Sequence, residues 1–410
     1  MENKKLESAG TVYLSSHASE KKLCVFLGAG ASSYGGYRTF LTFPHMFWPT
    51  STEPAKLNAT DKERALLTSI RGELERKRKT NTLDNYLSSL NEYNIVLRSM
   101  FSDEELRKRF SDALLFLARI EEMNQVVQRA RTHILELTVE HYRSLPSPRF
   151  YRNARYFYAQ LLEQFGWVEV FTTNYDLVPE FLFTELLMQR AKNANVSVNY
   201  NDYDTKITSA IGNLSFQNGF AEFGGDFSDL GCWHHNNYHT PSGKKQIDVY
   251  RLHGCVAWYY KEIDDGAVEF NMSALEDIRN SFNRICVMYP SKEQMKGNEP
   301  YTSSFLKLYR TCLEASTILA IGFSFRDIDV VSVMFNALKQ RADAGKHTKL
   351  VVVDPYIDKD ILIDRLNDIK HQLTIPIANN EKELEIVTIR TEFPPEDPAG
   401  TSTIVNSLQI

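Results

Sequence analysis

Short runs of apolar residues, each closed by small or polar ones, recur along the chain. Leu23 to Leu27 are five apolar residues in a row, followed at once by Gly28, Ala29, Gly30, Ala31, Ser32 and Ser33. Thr317 to Ile321 and the run that ends at Asp354 repeat this design, and Val168 to Thr173, β-branched and aromatic, and Val249 to Leu252 also read as strands. Runs so short, and continuous rather than alternating, predict strands buried on both faces. The spacing between them predicts helices near 152–165, 177–191, 301–314 and 328–342. One more helix, a strand at Leu384–Ile389 and a polar tail complete the order. Strands alternating with helices predict an α/β fold, a Rossmann-like and mostly parallel sheet with helices on both faces.

Residues 58 to 145 have another texture. Thr60-x-x-Glu63 and Ser102-x-x-Glu105 both fit the capping box that opens a helix. Leu66, Ile70 and Leu74, then Leu83, Tyr86, Leu87 and Leu90, follow helical spacing, as do Leu106, Phe110, Leu114, Leu117 and Ile120. Gly72 is the only glycine and there is no proline before Pro146, so several long helices are expected. The expected organisation is an α/β domain made of 1–45 and 146–410, interrupted by a helical module at 46–145 that serves regulation or oligomerisation. The basic run Arg76 to Lys79 reads as a solvated helix end, where cations offset the helix dipole. The Gly-, Pro- and aromatic-rich stretch at 34–49 either closes over a ligand or tucks a surface loop onto the core. Residues 192–247 read as loops with short strands.

Composition narrows the function. With 410 residues, 43% of them hydrophobic, the chain can bury a large core, and two or three modules are expected. A formal net charge of -5 argues against direct, sequence-independent nucleic-acid binding. No apolar run approaches the ~18 residues of a membrane span, and the start, MENKKLESAG, lacks the apolar core of a signal peptide. A cytoplasmic protein is therefore expected. The five cysteines, Cys24, Cys232, Cys255, Cys286 and Cys312, are far apart and form no Cys-x-x-Cys pair, which predicts buried, reduced thiols. Cys232, His234, His235 and His239 crowd together, but their spacing matches no zinc pattern, so a polar loop and no metal are expected.

The chemistry gathers at the strand ends. A strand running straight into Gly-Ala-Gly presents backbone N–H groups with no side chain in front of them, and these, with a helix N-terminus behind, suit a nucleotide diphosphate. Alone the signal is weak. Ser33 stands where the dinucleotide fingerprint wants a third glycine, and the Gly-Lys-Ser/Thr ending of a P-loop is missing. Other strands end in Asn174 and Asp176, in His253, in Gly322 and Ser324, and in Asp354. In open parallel sheets, ligands lie beyond these carboxyl ends. Convergence of four or more such ends, rather than any one motif, points to a binding site.

In this order, GAGAS (28–32), TTNYD (172–176), LHG (252–254), GFS (322–324) and Asp354 resemble the motifs of the sirtuin superfamily over roughly 20–45 and 165–360. The resemblance implies NAD as substrate and cleavage of its nicotinamide–ribose bond. It implies Asn174 and His253 as catalytic residues. Gly28, Ala29, Gly30, Ser32, Thr173, Asp176, Gly322, Ser324 and Asp354 would then bind NAD, with the glycine turn at the diphosphate and Asp354 at the adenine ribose. Each has an ordinary alternative. His253 can be a core histidine, Asn174 an Asx turn, Asp176 a helix cap, and Asp327 and Asp329 first-turn acids favoured by the helix dipole.

Two departures separate the chain from sirtuin deacylases. SYGGYRTF replaces their Gly-Ile-Pro-Asp-Phe-Arg, and after the His-Gly pair only Cys255, Cys286 and Cys312 occur, too far apart for the zinc knuckle. The chain in this respect resembles zinc-free, sirtuin-like NAD-consuming effectors of prokaryotic anti-phage defence. That implies an NAD glycohydrolase, a homo-oligomer, and a HerA-type ATPase or helicase as partner. A protein-lysine deacylase and a non-catalytic NAD sensor are the alternatives.

Overall fold

The computed structural model describes residues 22–38, 42–48, 55–77, 79, 82–102, 114–143, 146–179, 182, 214–217, 245–262, 268–272, 285–287, 300–373 and 384–409. The cluster Cys232, His234, His235 and His239 lies outside them, as do Leu106, Phe110, Glu105 and residues 1–21. Strand β1 (Lys22–Leu27) leads into a single helical turn, α1 (Gly30–Ser33). Three long helices follow, α2 (Asp61–Arg76), α3 (Leu83–Ser102) and α4 (Leu114–Arg143), then α5 (Pro148–Phe165) and β2 (Trp167–Thr172). Next come β3 (Leu214–Gln217), β4 (Lys245–Arg251), β5 (Gly254–Glu262), β6 (Val268–Met272) and β7 (Ile285–Val287). The chain continues through α6 (Tyr301–Glu314), β8 (Thr317–Ile321), α7 (Ile328–Asp343), β9 (Thr348–Val353), α8 (Lys359–Leu373), β10 (Leu384–Ile389) and α9 (Pro398–Ser407).

Seven strands form one sheet in the order β10-β9-β8-β1-β2-β4-β3, every pair parallel. From β1 the chain builds toward β2 and β4, then returns to β1's other flank with β8. The strand order therefore reverses between β1 and β8, which is where open α/β sheets bind ligands. Strands β6-β5-β7 form a small antiparallel sheet. Both faces of the large sheet are covered, as its apolar strands require. On one face Leu23, Val25, Leu27, Val168 and Val170 join the side chains of α2–α5 and α9 in one continuous apolar cluster. On the other, Cys24, Phe26, Phe171 and Ala320 pack against α6, α7 and α8. The α/β expectation holds.

Local signals explain the helix limits. Both halves of the expected capping box form at α2, where Glu63 N–H donates to Thr60 Oγ1 at 3.4 Å and Thr60 N–H donates to Glu63 Oε2 at 3.0 Å. Ser102 is the last residue of α3, and the rest of its expected capping box lies outside the described residues. Ser147 caps α5 with Pro148 in the first turn, and Gly166 (φ 70) closes it. The tail expected after β10 is a helix instead. Asp397 caps α9, Pro398 opens it, and Ile404, Val405 and Leu408 are buried in the larger cluster. No helix among the described residues is long and apolar enough to cross a membrane. Cys24, Cys255 and Cys312 are buried thiols.

The second face also encloses charge. Glu169 and Asp248 sit side by side on β2 and β4 beneath α6. Lys307 Nζ lies 2.6 Å from Glu169 Oε1, and Thr311 donates to Glu169 Oε2 at 2.6 Å. Gln246 and Trp167 donate to Asp248 at 2.7 and 3.0 Å. Burial pushes the Asp248 carboxyl up to about 7, and the Glu169 charge adds to the rise against those two hydrogen bonds.

Candidate functional site

Beyond the last ladder residue of each strand, the next segment continues the pairing by one more bond. Asp354 N–H donates to Ile389 O (3.2 Å), Gly322 to Val353 O (2.9 Å), Gly28 to Ile321 O (3.0 Å), Thr173 to Leu27 O (3.3 Å) and Leu252 to Thr172 O (2.9 Å). The five separate sequence stretches therefore stand in one row across the carboxyl edge of the sheet.

At the centre of the row the two glycine turns touch backbone to backbone. A Cβ on Gly28 would fall 2.4 Å from Gly322 O, one on Gly30 2.8 Å from Gly322 Cα, and one on Gly322 (φ 56) 2.2 Å from Ala31 N. Gly30 N–H also donates to Gly322 O at 3.0 Å. The Gly28 and Gly30 amides are thus committed to the neighbouring strand end, and α1 is a single turn. The glycines serve close approach.

Asn174 is buried and tied to the glycine turn. Its Nδ2 donates to Gly28 O at 3.0 Å and to Ser32 Oγ at 3.1 Å, and its backbone N–H donates to Thr172 Oγ1 at 3.0 Å. Its Oδ1 is buried without a partner. Such an atom is costly unless something donates to it, so it marks where a ligand hydroxyl or water fits. Asp176 Oδ1 accepts from Val178 N–H at 3.0 Å, the capping geometry of its ordinary alternative. Asn174, Asp176, Ser32 and Tyr158 line one small cavity. Burial, reinforced by the Asp176 charge, pushes the phenols of Tyr158, Tyr142 and Tyr37 well above their usual range, so all three stay neutral.

His253 sits where the chain leaves the large sheet for the small one, and Gly254 (φ 79) makes that corner possible. The imidazole is 4% exposed. Its Nε2 lies 2.7 Å from Asp327 Oδ2, at ion-pair distance, while the hydrogen-bond alignment is poor and Nδ1 is buried without a partner. Asp327 Oδ1 caps α7 by accepting from Val330 N–H at 3.2 Å. Burial alone would raise the Asp327 carboxyl, but His253 and the N–H groups of Val330 and Asp329 hold it below the usual range. Ser324 is exposed, with its carbonyl accepting from Arg365 at 3.2 Å. Asp354 Oδ1 accepts from Tyr356 and Ile357 N–H at 2.8 and 3.1 Å.

Two site residues escaped the sequence reading. Arg251, buried at the end of β4, donates through Nη1 to Asn174 O at 2.9 Å and joins the His253 and Asn174 segments. Asp327 read as a first-turn acid, which is half of what it does. In the described part of the stretch at 34–49, Arg38 is held by the last turn of α4. Arg38 N–H donates to His141 Nε2 at 2.7 Å and Tyr142 Oη donates to Arg38 O at 2.6 Å. Burial lowers His141 to about 4, which keeps that nitrogen a neutral acceptor. Tyr142 also meets Tyr175, between Asn174 and Asp176, edge to face at 6.3 Å. The described residues contain no group of three or more His, Cys, Asp or Glu able to hold a metal ion.

The profile of the SIR2-like domain matches residues 168–373, half of the chain. No curated protein matches it. Among solved structures, one described under the mechanism and regulation of Sir2 enzymes is 12% identical with a TM-score of 0.35, covering 95% of this chain and 92% of its own. A Sir2 homologue in complex with NAD is 10% identical with a TM-score of 0.35, covering 95% and 88%. Sir2Tm bound to a propionylated peptide is 10% identical with a TM-score of 0.35, covering 94% and 91%.

Proposed function

The chain belongs to the SIR2-like domain family, and from that premise we propose that it is an NAD glycohydrolase, which adds water across the nicotinamide–ribose bond of NAD+ to give nicotinamide and ADP-ribose. The observation that carries the reading is the row of five strand-end segments, with two buried, unpartnered polar atoms, Asn174 Oδ1 and His253 Nδ1, left for substrate or water.

Loss of nicotinamide leaves an oxocarbenium-like ribose, so the site must position the sugar, fix a water and take up a proton. Asn174 Oδ1 receives a hydrogen bond from the ribose or the water, and Ser32 and Gly28 fix its amide for that task. His253 acts as general base on a ribose hydroxyl or on the water, a role worth typically 10²–10⁴-fold. Asp176 and Thr173 complete the nicotinamide side, the glycine turns approach the diphosphate, and Ser324 and Asp354 line the adenosine half. Metal is not part of the proposal. The stretch from His253 to Gly322 offers no Cys-x-x-Cys pair for the knuckle that deacylases use.

The helices of 46–145 are read as a control or assembly module. Tyr142 touches both the loop after the glycine turn and the Asn174 segment, so a shift of α4 would reach the site. An NAD-depleting effector of anti-phage defence, held quiet as a homo-oligomer or beside a HerA-type ATPase, fits such a module. The test is nicotinamide release from NAD, with an acetylated peptide in a parallel arm. Release without peptide is expected, and release that requires peptide would favour deacylation.

A further inference from the structure

We propose that Asp327 is a positioning residue for His253, holding the imidazole as its Nε2–H tautomer so that Nδ1 is the proton acceptor. The inference rests on the reading of His253 as general base.

Three observations carry it. The first is the contact. Asp327 Oδ2 lies 2.7 Å from His253 Nε2, and the Asp327 carboxyl is held in its ionised form. A carboxylate only accepts, so the facing nitrogen must be the one that carries hydrogen. The poor alignment of this hydrogen bond is ordinary for catalytic groups without substrate. The second is the orphaned Nδ1. In the Nε2–H tautomer it is a bare lone pair, buried and unpartnered, as a proton acceptor awaiting its substrate would be. The logic is that of a carboxylate–histidine pair, with the two ring nitrogens exchanged.

The third is what the backbone tolerates to bring Asp327 there. His253 stands at the end of β4 and Asp327 follows β8, with β1 and β2 between them in the sheet. The turn from β8 contains two left-handed residues, Gly322 (φ 56) and Phe325 (φ 54). For a non-glycine residue that conformation is unfavourable and persists where surroundings enforce it. Here Phe325 is fully buried, edge to face with Phe323 at 4.9 Å, and Phe323 in turn packs on Phe26 at 5.8 Å. Capping α7 needs only Oδ1, so the cap leaves the approach of Oδ2 to His253 unexplained.

Asp327→Asn separates the two roles, since Asn caps a helix as well as Asp does but brings an amide N–H toward Nε2. ¹⁵N-resolved NMR of the His253 ring, identified by its loss in His253→Gln, reads the tautomer whether or not NAD is turned over. Wild type is expected to carry hydrogen on Nε2 and none on Nδ1, and Asp327→Asn to shift hydrogen to Nδ1. The same variant should lose about 10²–10⁴-fold in kcat for nicotinamide release, with KM for NAD changed less than about threefold and α7 intact by circular dichroism. An Nδ1–H imidazole in wild type, or the same tautomer in both proteins, overturns the proposal. Wild type that shows the Nε2–H tautomer but releases no nicotinamide in any condition, candidate activating partners included, upholds the positioning and fails the glycohydrolase reading.

Discussion

Gly72, in the middle of α2, and Gly322, at the end of β8, are the same residue for opposite reasons. Around Gly72 a Cβ would meet nothing within 4 Å, whereas at Gly322 it would fall 2.2 Å from a backbone nitrogen, in a left-handed conformation besides. The helical layer is held by apolar side chains such as Leu67, Ile70, Leu87 and Leu90, each worth about 1.5–3 kcal/mol when buried. Its backbone has room. At the strand-end glycines, main chain packs against main chain and no added side chain can be accommodated. The helix has room for a Cβ at Gly72; the site has none at Gly322.

Substitutions at these glycines sharpen the contrast, and Gly322→Ala has the largest effect. Strain at positive φ together with overpacking is expected to cost about 3 kcal/mol or more, read as a fall in the denaturant midpoint and loss of NAD binding. A variant as stable as wild type would break the comparison. Next comes the buried charge under α6, away from the strand ends. Asp248 keeps its proton to about pH 7 in the folded protein, while the unfolded chain releases it near its ordinary carboxylate pKa. The folded state then binds more protons between those values. Its stability contribution is complete at low pH and is lost as pH rises through 7, by up to about 1.4 kcal/mol per pH unit. Asp248→Asn should flatten the dependence of Tm on pH between 5 and 8 relative to wild type, and an unchanged slope would refute the assignment. The smallest effect is at Gly72→Ala, where α2 should gain about 0.5–1 kcal/mol from helix propensity and reduced chain entropy, seen as a small rise in Tm. A loss there would mean that the helical layer is as tightly constrained as the site.

These regions also differ in how they read as sequence. The strands were legible because a sheet covered on both faces needs apolar runs: Thr317–Ile321 forms fully buried where the pattern puts it, and the half-buried Leu384–Ile389 forms at its expected place too. The helix α9 was not, since its apolar residues come late and its start is the polar Asp397-Pro398 pair, a capping signal that the polar reading passed over. At the site, Asn174, His253 and the glycines stood out because each follows an apolar run. The reason for Gly28 and Gly30 did not, because it depends on Gly322, which is brought beside them only by the return of β8 to β1. Asp327 and Arg251 were hidden in the same way. Each acts on a partner from another strand end, and nothing local distinguishes a first-turn acid that caps from one that also faces a histidine.

The central claim is that Asn174 and His253 act on NAD at these strand ends. It is tested most directly by nicotinamide release from NAD by the purified protein beside Asn174→Ala and His253→Ala, each with its NAD binding and Tm measured, and repeated with candidate activating partners. Release by wild type that falls about 10²-fold or more in both variants, with folding retained, is the predicted result. Bound NAD left intact by wild type in every condition, or release unaffected by either substitution, would contradict it.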